Sequence, residues 1–395
     1  MERILVARAL RAFADGYVAV LLPLYLQALG QGSFATGFLS SATLAGSAAA
    51  TIALGALAHR LPRSRLLPGA ALLMAATGAG FALASDFWPL LAIAFVGTLN
   101  PSSGDVSVFL PLEHGELAAE SHDPAQRTRI FARYALAGSL FASVGGLFAA
   151  VPDLLSRGTG VDPLLALRAM FALYGLIGLA VWLLYRGAHF ARDAAPAPAT
   201  PLGPSRPVVV RLALLFSVDS FAGGMLVNSI LALWLFQRHG VSLGTAAAFF
   251  FASGLLATAS MLLAPRIAAR IGLLHTMVFT HIPASLFLIG AAFAPGADLA
   301  MGLLLARSAL SSMDVPARSA FVMSVVTAPE RIAAASFTAV PRSLASAAGP
   351  SIGGALMGVG WMAAPLLACG GLKIAYDLAL LVAFRRHARM GKVSP

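Results

Sequence analysis

Cysteine and charged residues are both scarce in this chain. The single cysteine, Cys369, excludes a disulfide within the chain, and its apolar surroundings favour a small packing residue. The phosphate-binding pattern Gly-x-x-x-x-Gly-Lys and the zinc pattern His-Glu-x-x-His are both missing. We therefore expect a protein that is not an enzyme and is not driven by ATP, with no catalytic residues, no cofactor and no metal site.

Charged side chains make up 11% of the 395 residues, whereas 59% are hydrophobic, and the mean hydropathy is +0.84. This balance is typical of a membrane protein. Apolar runs of about 20 residues, enough to cross the hydrocarbon core of a bilayer, recur along the chain. Twelve spans are predicted, at 5–29, 34–58, 66–85, 88–112, 128–150, 163–186, 208–236, 241–265, 272–294, 298–325, 332–358 and 362–385. We predict an all-α membrane protein of twelve transmembrane helices.

Basic residues are distributed unevenly between the two sides of these spans. The net charge is +11, and 17 of the 27 Lys and Arg residues fall in segments that are cytoplasmic if the N-terminus is inside. The opposite loops hold two, Arg157 and Arg238. The positive-inside rule then places both termini in the cytoplasm of a multi-pass protein of the cell (inner) membrane, and nucleic acid is not expected as a partner.

The two halves of the chain resemble each other. A stretch rich in Pro and Ala at 187–207 predicts a cytoplasmic linker between six spans at 1–186 and six at 208–395. Several residues repeat at an offset of about 204 to 210 positions, which indicates duplication. The pairs are Asp15 with Asp219, Arg60 with Arg270, Asp105 with Asp314, and Gly145-Gly146 with Gly353-Gly354.

Three motifs carry a resemblance to a known family. The loop "GALAHRLPRSR" contains Gly55, Arg60, Arg63 and Arg65, and it resembles the cytoplasmic signature of the major facilitator superfamily, with His59 and Pro62 in place of the usual aspartate and glycine. "GPSIGG", with Gly349, Pro350, Gly353 and Gly354, resembles the proton-antiporter signature, here in span 11, and "LARSAL" around Arg307 resembles a helix 4 signature. The resemblance implies two pseudo-symmetric six-helix bundles that alternate in access, with proton-coupled exporters of drugs and small molecules as the nearest group.

Aspartates inside four spans are the first candidate site residues. An ionised carboxylate in the bilayer is costly and normally faces water or a partner. In the family, helices 1, 4, 7 and 10 line the central cavity, which predicts proton coupling or substrate contact for Asp15, Asp105, Asp219 and Asp314. Salt-bridge gating is the alternative, since Arg11 and Arg318 lie four residues from Asp15 and Asp314. Asp105 has no such arginine and is the better candidate proton carrier.

Arginines inside the spans form a second candidate set. Arg133, Arg307 and Arg342, with Arg11 and Arg318, predict either anion contact or gating pairs with the aspartates. Arg168 and the Lys373–Asp377 pair lie on helices 6 and 12, which usually face outward in the family, and structural pairing or snorkelling is expected there. His281 has no second ligand at metal-binding spacing and is interpreted as a core histidine.

The sequence therefore predicts a secondary transporter that works with the lipid bilayer, a small-molecule substrate and protons as partners, as a monomer. The first prediction is export of a small amphipathic compound or drug by proton antiport. The alternative is an uptake carrier that brings in a small organic anion by proton symport. A receptor or scaffold on the same fold is the third possibility, although the chain shows no appended soluble domain.

Overall fold

The computed structural model describes residues 1–57, 63–102, 108–119, 124–186 and 202–390. Within these ranges every regular element is helical, which confirms the predicted all-α class. The first helices are α1 (Glu2–Ala28), α2 (Ser33–Leu57), α3 (Arg63–Leu83), α4 (Phe87–Val96), α5 (Phe109–Ala119), α6 (Pro124–Phe148), α7 (Val151–Thr159) and α8 (Pro163–Arg186).

The second half follows with α9 (Arg206–Gly224), α10 (Asn228–His239), α11 (Leu243–Ile271), α12 (Leu273–Ala292), α13 (Ala297–Ser311), α14 (Asp314–Val325), α15 (Arg331–Gly358) and α16 (Ala364–Met390). A short 3₁₀ helix, Ala328–Glu330, precedes α15. Each of the twelve predicted spans corresponds to helix in the structure. The fourth, seventh and tenth spans are each split into two helices, and α7 is an additional short helix.

The splits have local causes. After α4 the backbone at Gly97 is extended, and Pro101 follows where its missing N–H would leave a helix hydrogen bond unmade. Between α9 and α10 the chain is extended at Val227. Pro316 lies in the first turn of α14, the position in a helix where proline is tolerated. Long apolar runs alone therefore overstate the continuity of these three helices.

Eight helical stretches within the described residues are long and apolar enough to cross a membrane. They are Ser33–Leu54, Arg65–Leu83, Arg129–Thr159, Pro163–Arg186, Arg206–His239, Leu243–Ile271, Leu273–Ala292 and Ala364–Arg385. The other four predicted spans correspond to α1, to α4 with α5, to α13 with α14, and to α15. The chain is a multi-pass membrane protein.

Packing divides the chain into two compact units. The first comprises Met1–Ala195 and Val227–Phe251, and the second comprises Pro196–Leu226 and Ala252–Pro395. Residues 227–251 belong to the first unit because α10 packs on α1 and α2, where the Ser229 hydroxyl lies 3.0 Å from that of Ser40. The packing units thus differ at this segment from the predicted sequence halves.

Glycines set the closest helix contacts inside each unit. In the first unit α1 packs along α6, and a Cβ on Gly145 would lie 2.0 Å from the carbonyl oxygen of Phe13. In the second unit α9 packs along α15, and a Cβ on Gly353 would lie 2.4 Å from that of Met225. The paired glycines of the sequence repeat therefore have the same packing role in both units.

Candidate functional site

Charged side chains from four helices converge in the interior of the second unit. Helices α9 and α12 supply Asp219 and His281, α14 supplies Asp314 and Arg318, and α16 supplies Lys373 and Asp377; all six are buried. These residues are the charge cluster discussed below. The apolar core of the unit, with Phe216, Val278 and Phe321, packs beside it.

Asp219 lies at the centre of the charge cluster. Its Oδ1 accepts a hydrogen bond from Lys373 Nζ at 2.6 Å, and its Oδ2 lies 3.1 Å from a terminal guanidinium nitrogen of Arg318. Both carboxylate oxygens thus have cationic partners from two other helices. This arrangement satisfies the rule that a carboxylate in the bilayer needs a partner or water.

Arg318 bridges two aspartates. Its guanidinium donates to Asp314, one turn earlier on α14, and also pairs with Asp219. It lies over the Phe216 ring, 5.4 Å from the ring centroid. The predicted pairing of Asp314 with Arg318 is present in the structure. The additional partner on α9 could not be foreseen from spacing along one helix.

His281 connects the two ends of the charge cluster. Its Nδ1 lies 3.1 and 3.2 Å from the two carboxylate oxygens of Asp377. Its Nε2 lies 3.4 Å from Lys373 Nζ and 3.9 Å from Asp219 Oδ1. The interpretation of His281 as a core histidine omitted these charged neighbours, because they come from α9 and α16, far away in sequence.

Lys373 and Asp377 differ from expectation. The sequence predicts that they pair with each other on an outward-facing helix. In the structure Lys373 donates to Asp219, and Asp377 lies at hydrogen-bond distance from His281, so these two side chains of α16 point into the unit and have separate partners. The correction follows from packing of α16 on α12 and α9, which turns this face of the helix inward.

Two other candidate arginines of the second unit, Arg342 and Arg307, have few polar partners among the described residues. Arg342 on α15 is half-buried, and its Nε donates to the Ser220 hydroxyl at 3.2 Å. It lies within electrostatic range of Arg318, Asp219 and Asp314. Among the described residues no carboxylate lies at ion-pair distance from Arg342 or from the half-buried Arg307. Of the two alternatives predicted for these arginines, anion contact or pairing with aspartates, the pairing is not found in the described part of the chain.

A second buried site lies in the first unit, around Glu113 on α5. One of its oxygens lies 2.5 Å from both a terminal nitrogen of Arg11 and the Tyr134 hydroxyl, and the other accepts from Tyr185. The Arg11 guanidinium also lies over the Phe109 ring, 3.9 Å from its centroid. Sequence reasoning missed Glu113 because the predicted fourth span ended at residue 112, one position earlier.

The other predicted site residues have varied surroundings. Asp15 is buried on α1, one turn after Arg11, whose ion pair is made with Glu113. Arg133 is exposed on α6, Arg65 is exposed on α3, and Arg168 donates to the Ser85 hydroxyl at 2.6 Å. Arg60 and Asp105 lie outside the described residues, as do the side chains at Gly55 and Arg63.

The GPSIGG signature, residues 349–354, lies on α15. Gly349 and Gly353 contact the end of α9, Pro350 lies within the helix, and Gly354 is buried beside them. No group of three or more His, Cys, Asp or Glu side chains that could hold a metal ion occurs in the described part of the chain.

Comparison with known proteins supplies the family. The family model for the Major Facilitator Superfamily matches residues 4–313. An uncharacterized membrane protein, YJR124C, of Saccharomyces cerevisiae is 25% identical over 414 residues, covering 95% of this chain and 92% of the yeast protein.

Two solved structures share the fold. The nucleoside transporter NupG aligns with a TM-score of 0.73 at 14% identity, covering 97% of this chain and 98% of that one. A bacterial homolog of the human lysosomal transporter Spinster, in an inward-facing and occupied conformation, aligns with a TM-score of 0.70 at 17% identity, covering 98% and 96%. The chain belongs to the major facilitator superfamily.

Proposed function

We propose that this protein is a proton-coupled secondary active transporter whose substrate is a small organic anion. The observation that carries the proposal is the buried charge cluster, in which three carboxylates, two cations and one imidazole share partners. Such a cluster costs free energy to bury, because the desolvation of each ion offsets much of the gain from pairing. Retaining it in a membrane unit suggests a functional role.

Proton coupling follows from the sharing of partners. A proton added to Asp219 or His281 changes which groups attract each other, so the ties between α9, α14 and α16 depend on protonation. A transporter needs such an element, since the bound proton can drive a conformational change only by its different affinity for two states. Asp15 and Asp105 remain proposed coupling residues because each places a carboxylate within a predicted apolar span.

Arg342 supports an anionic substrate. Its Nε bonds a neutral hydroxyl, so the planar fork of its terminal N–H groups is available to a carboxylate or phosphate. Three aromatic residues on α1 and α10, namely Tyr17, Tyr25 and Trp234, are buried. Tyr17 donates to the Met170 carbonyl at 3.1 Å, Tyr25 donates to that of Phe81 at 2.6 Å, and Trp234 is fully buried.

Export of a small amphipathic compound or drug by proton antiport stays the competing prediction. One assay separates the two. Purified protein in proteoliposomes is given an imposed pH gradient and a labelled panel of monocarboxylates, dicarboxylates, organic phosphates and cationic drugs. The proposal expects an anion to accumulate on the alkaline side of the membrane. Accumulation of a cationic drug on the acidic side would overturn anion symport and support the exporter.

The panel is best chosen by a thermal-shift screen. A ligand present at 100 times its dissociation constant stabilises the folded protein by about 2.7 kcal/mol. The Arg342→Gln variant should lose the shift produced by an anion and at least about tenfold of its proton-driven uptake. Arg168→Gln is the matched control, since Arg168 is a partly buried arginine bonded to the Ser85 hydroxyl at 2.6 Å. Equal loss in both variants would argue against Arg342 as the anion contact.

We also propose that both termini and the linker 187–207 are cytoplasmic in the cell (inner) membrane. The 17 to 2 distribution of basic residues supports this orientation. Fusing an alkaline phosphatase or a fluorescent protein to either terminus tests it. Phosphatase activity from a terminal fusion would reverse the proposed orientation.

A further inference from the structure

The imidazole of His281 has a differently charged neighbour at each nitrogen. Nδ1 faces both oxygens of Asp377, at 3.1 and 3.2 Å. Nε2 faces Lys373 Nζ at 3.4 Å, and Asp219 Oδ1 is the next oxygen, at 3.9 Å. The ring therefore lies between two carboxylates, one held by the ring alone and the other shared with Lys373.

The neutral ring fits this arrangement in one tautomer. Asp377 can only accept when ionised, so Nδ1 carries the hydrogen and donates it. Nε2 then presents its lone pair to Lys373, whose ammonium group has three donors and no acceptor. In this state Lys373 is free to donate to Asp219 at 2.6 Å as well.

The protonated ring fits a different set of partners. An imidazolium donates from both nitrogens, so Nε2–H cannot bond the Lys373 ammonium, and the two like charges repel. Asp219 Oδ1 is the acceptor within reach of Nε2, and it is the same oxygen that Lys373 uses. A proton on His281 and the Lys373 ammonium therefore compete for one carboxylate oxygen.

The charges around the His281 ring determine whether its neutral or its protonated form is favoured. Among the described residues, the ring itself faces Asp219 on α9 and Lys373, Tyr376 and Asp377 on α16. The charged or titratable groups that surround these neighbours are Asp314 and Arg318 on α14, Arg342 on α15 and Cys369 on α16. Arg307 on α13 interacts with Cys369 and with none of the three carboxylates, so the cations that face these carboxylates are Arg318, Lys373 and Arg342, and the charges balance when the ring is neutral. An anion bound to Arg342 leaves a deficit of one positive charge, which a proton on His281 would fill.

We propose that His281 binds the coupling proton, that this proton displaces Lys373 from Asp219, and that an anion at Arg342 promotes the exchange. The inference rests on the proposed function, because it assigns the proton and the anion to two positions of one cluster. Binding of either one favours binding of the other by the same factor, as linkage between two sites requires. Asp377 acts as a positioning residue, because it holds the ring in the tautomer that exposes Nε2 to Lys373.

Histidine-ring NMR tests the assignment without any substrate. The protein, labelled on its eight histidines and placed in nanodiscs, is compared with His281→Asn to identify the His281 resonance. The protonated fraction of this ring is then measured at a pH near the usual histidine midpoint, about 6.5. Arg342→Gln mimics the neutralised arginine, and we expect it to raise the ratio of protonated to neutral ring by about fivefold or more. Arg342→Lys keeps the charge and should leave the ratio close to that of the wild-type protein.

Several outcomes would overturn the inference. A ring that stays neutral at all accessible pH values, or an equal response in Arg342→Gln and Arg342→Lys, would remove His281 or Arg342 from the coupling. If His281→Asn does not fold, Asp377→Asn identifies the same ring, because Asp377 contacts no other histidine among the described residues. A ring that fails to respond to Asp377→Asn would contradict the positioning role.

Transport separates failure of this inference from failure of the proposed function. In proteoliposomes, His281→Gln should lose proton-driven accumulation while retaining exchange of the labelled anion across the membrane. Proton-driven uptake that survives in His281→Gln leaves the proposed function intact and overturns the proton site. The expected NMR response without any proton-driven flux would support the site and overturn the proposed function.

Discussion

Lys373 Nζ on α16 lies 2.6 Å from Asp219 Oδ1 on α9, which joins two helices that are 154 residues apart at this contact. Both side chains are buried, and Asp219 has Arg318 as a second cation. Removing one ion of a buried pair leaves the other without compensation, which costs more than removing both. The pair therefore allows a test of how much the cluster contributes to folding.

The Lys373→Ala variant should be destabilised by about 1.5–3 kcal/mol, because Asp219 loses its shortest charged hydrogen bond and keeps Arg318 as its remaining cation. The double variant Asp219→Asn with Lys373→Gln should recover part of this loss. Unfolding of the purified protein in mild detergent, followed by helical circular dichroism against denaturant, measures both values. A double variant less stable than Lys373→Ala would contradict the pairing argument.

The exposed pair of Arg157 and Asp153 is the control for that measurement. Its nitrogen and oxygen lie 2.9 Å apart on consecutive turns of α7, and the arginine is 72% exposed. Arg157→Ala should change stability by about 0.5 kcal/mol or less, because solvent screens such pairs. A cost similar to that of Lys373→Ala would show that general charge, and not burial, governs these effects.

The close contact between α9 and α15 predicts that adding one methyl group at Gly349 lowers the stability of the protein. A Cβ on Gly349 would lie 2.3 Å from the carbonyl carbon of Gly224 and 2.4 Å from the nitrogen of Met225, both backbone atoms. Gly349→Ala should therefore destabilise the protein by about 1–3 kcal/mol, since the helices must separate. Gly244→Ala on α11 is the matched control, because a Cβ there meets nothing within 4 Å. Equal thermal midpoints for the two variants would refute the close contact.

The fold could be predicted from the sequence because hydropathy acts locally. Each of the twelve apolar runs contains helix within the described residues, since a backbone in hydrocarbon must satisfy its hydrogen bonds within its own segment. The split between α9 and α10 was not predicted, because no proline marks it. Grouping of residues 227–251 with the first unit depends on packing of α10 on α1, which a linear pattern does not encode.

The candidate site could be predicted only in part. Asp314 with Arg318 follows from spacing on one helix, and burial of Asp15 and Asp219 follows from their position within apolar runs. The partners Lys373 and His281 depend on which faces of α12 and α16 turn inward. Helices this apolar have little amphipathic signal to indicate a face, so composition leaves their orientation open.

Glu330, which lies outside the predicted membrane spans, predicts a pH dependence of the stability of the protein. It precedes α15, and hydrogen bonds from Ser205, from Thr327 and from the Gly203 N–H lower its pKa from 4.5 to about 2. These bonds join the segment before α9 to the start of α15. Because the folded pKa lies below the unfolded value, their contribution to stability is complete above pH 4.5 and is lost as the pH falls through about 2.

The Glu330→Gln variant should therefore have a thermal midpoint a few degrees below that of the wild-type protein, and the gap should be constant between pH 5 and 7, about the range above both pKa values. Below pH 4.5 the gap should narrow as the wild-type carboxylate becomes protonated. Asp298→Asn, which alters an exposed carboxylate on α13, is the control and should show no such trend. A gap that widens with acid would contradict the direction of the Glu330 shift.

The site in the first unit gives the last prediction. Glu113 is fully buried and accepts from Arg11, Tyr134 and Tyr185, so its single charge holds α1, α6 and α8 to α5. Glu113→Gln keeps the shape and removes the charge, which leaves the buried Arg11 guanidinium without the carboxylate at ion-pair distance. We expect a loss of about 3–5 kcal/mol. Tyr134→Phe removes one hydrogen bond to a charged group and should cost less, about 1.5–3 kcal/mol.

A double variant distinguishes charge from packing at Glu113. If the cost arises from the uncompensated guanidinium, Arg11→Gln combined with Glu113→Gln should be more stable than Glu113→Gln alone, because no buried charge remains in this pair. If Glu113 acts mainly as an acceptor for the two tyrosines, the second substitution should give no recovery. Denaturant unfolding of the wild type, Arg11→Gln, Glu113→Gln and the double variant in one detergent completes the cycle. A coupling energy near zero would exclude the Arg11–Glu113 pair as a source of stability.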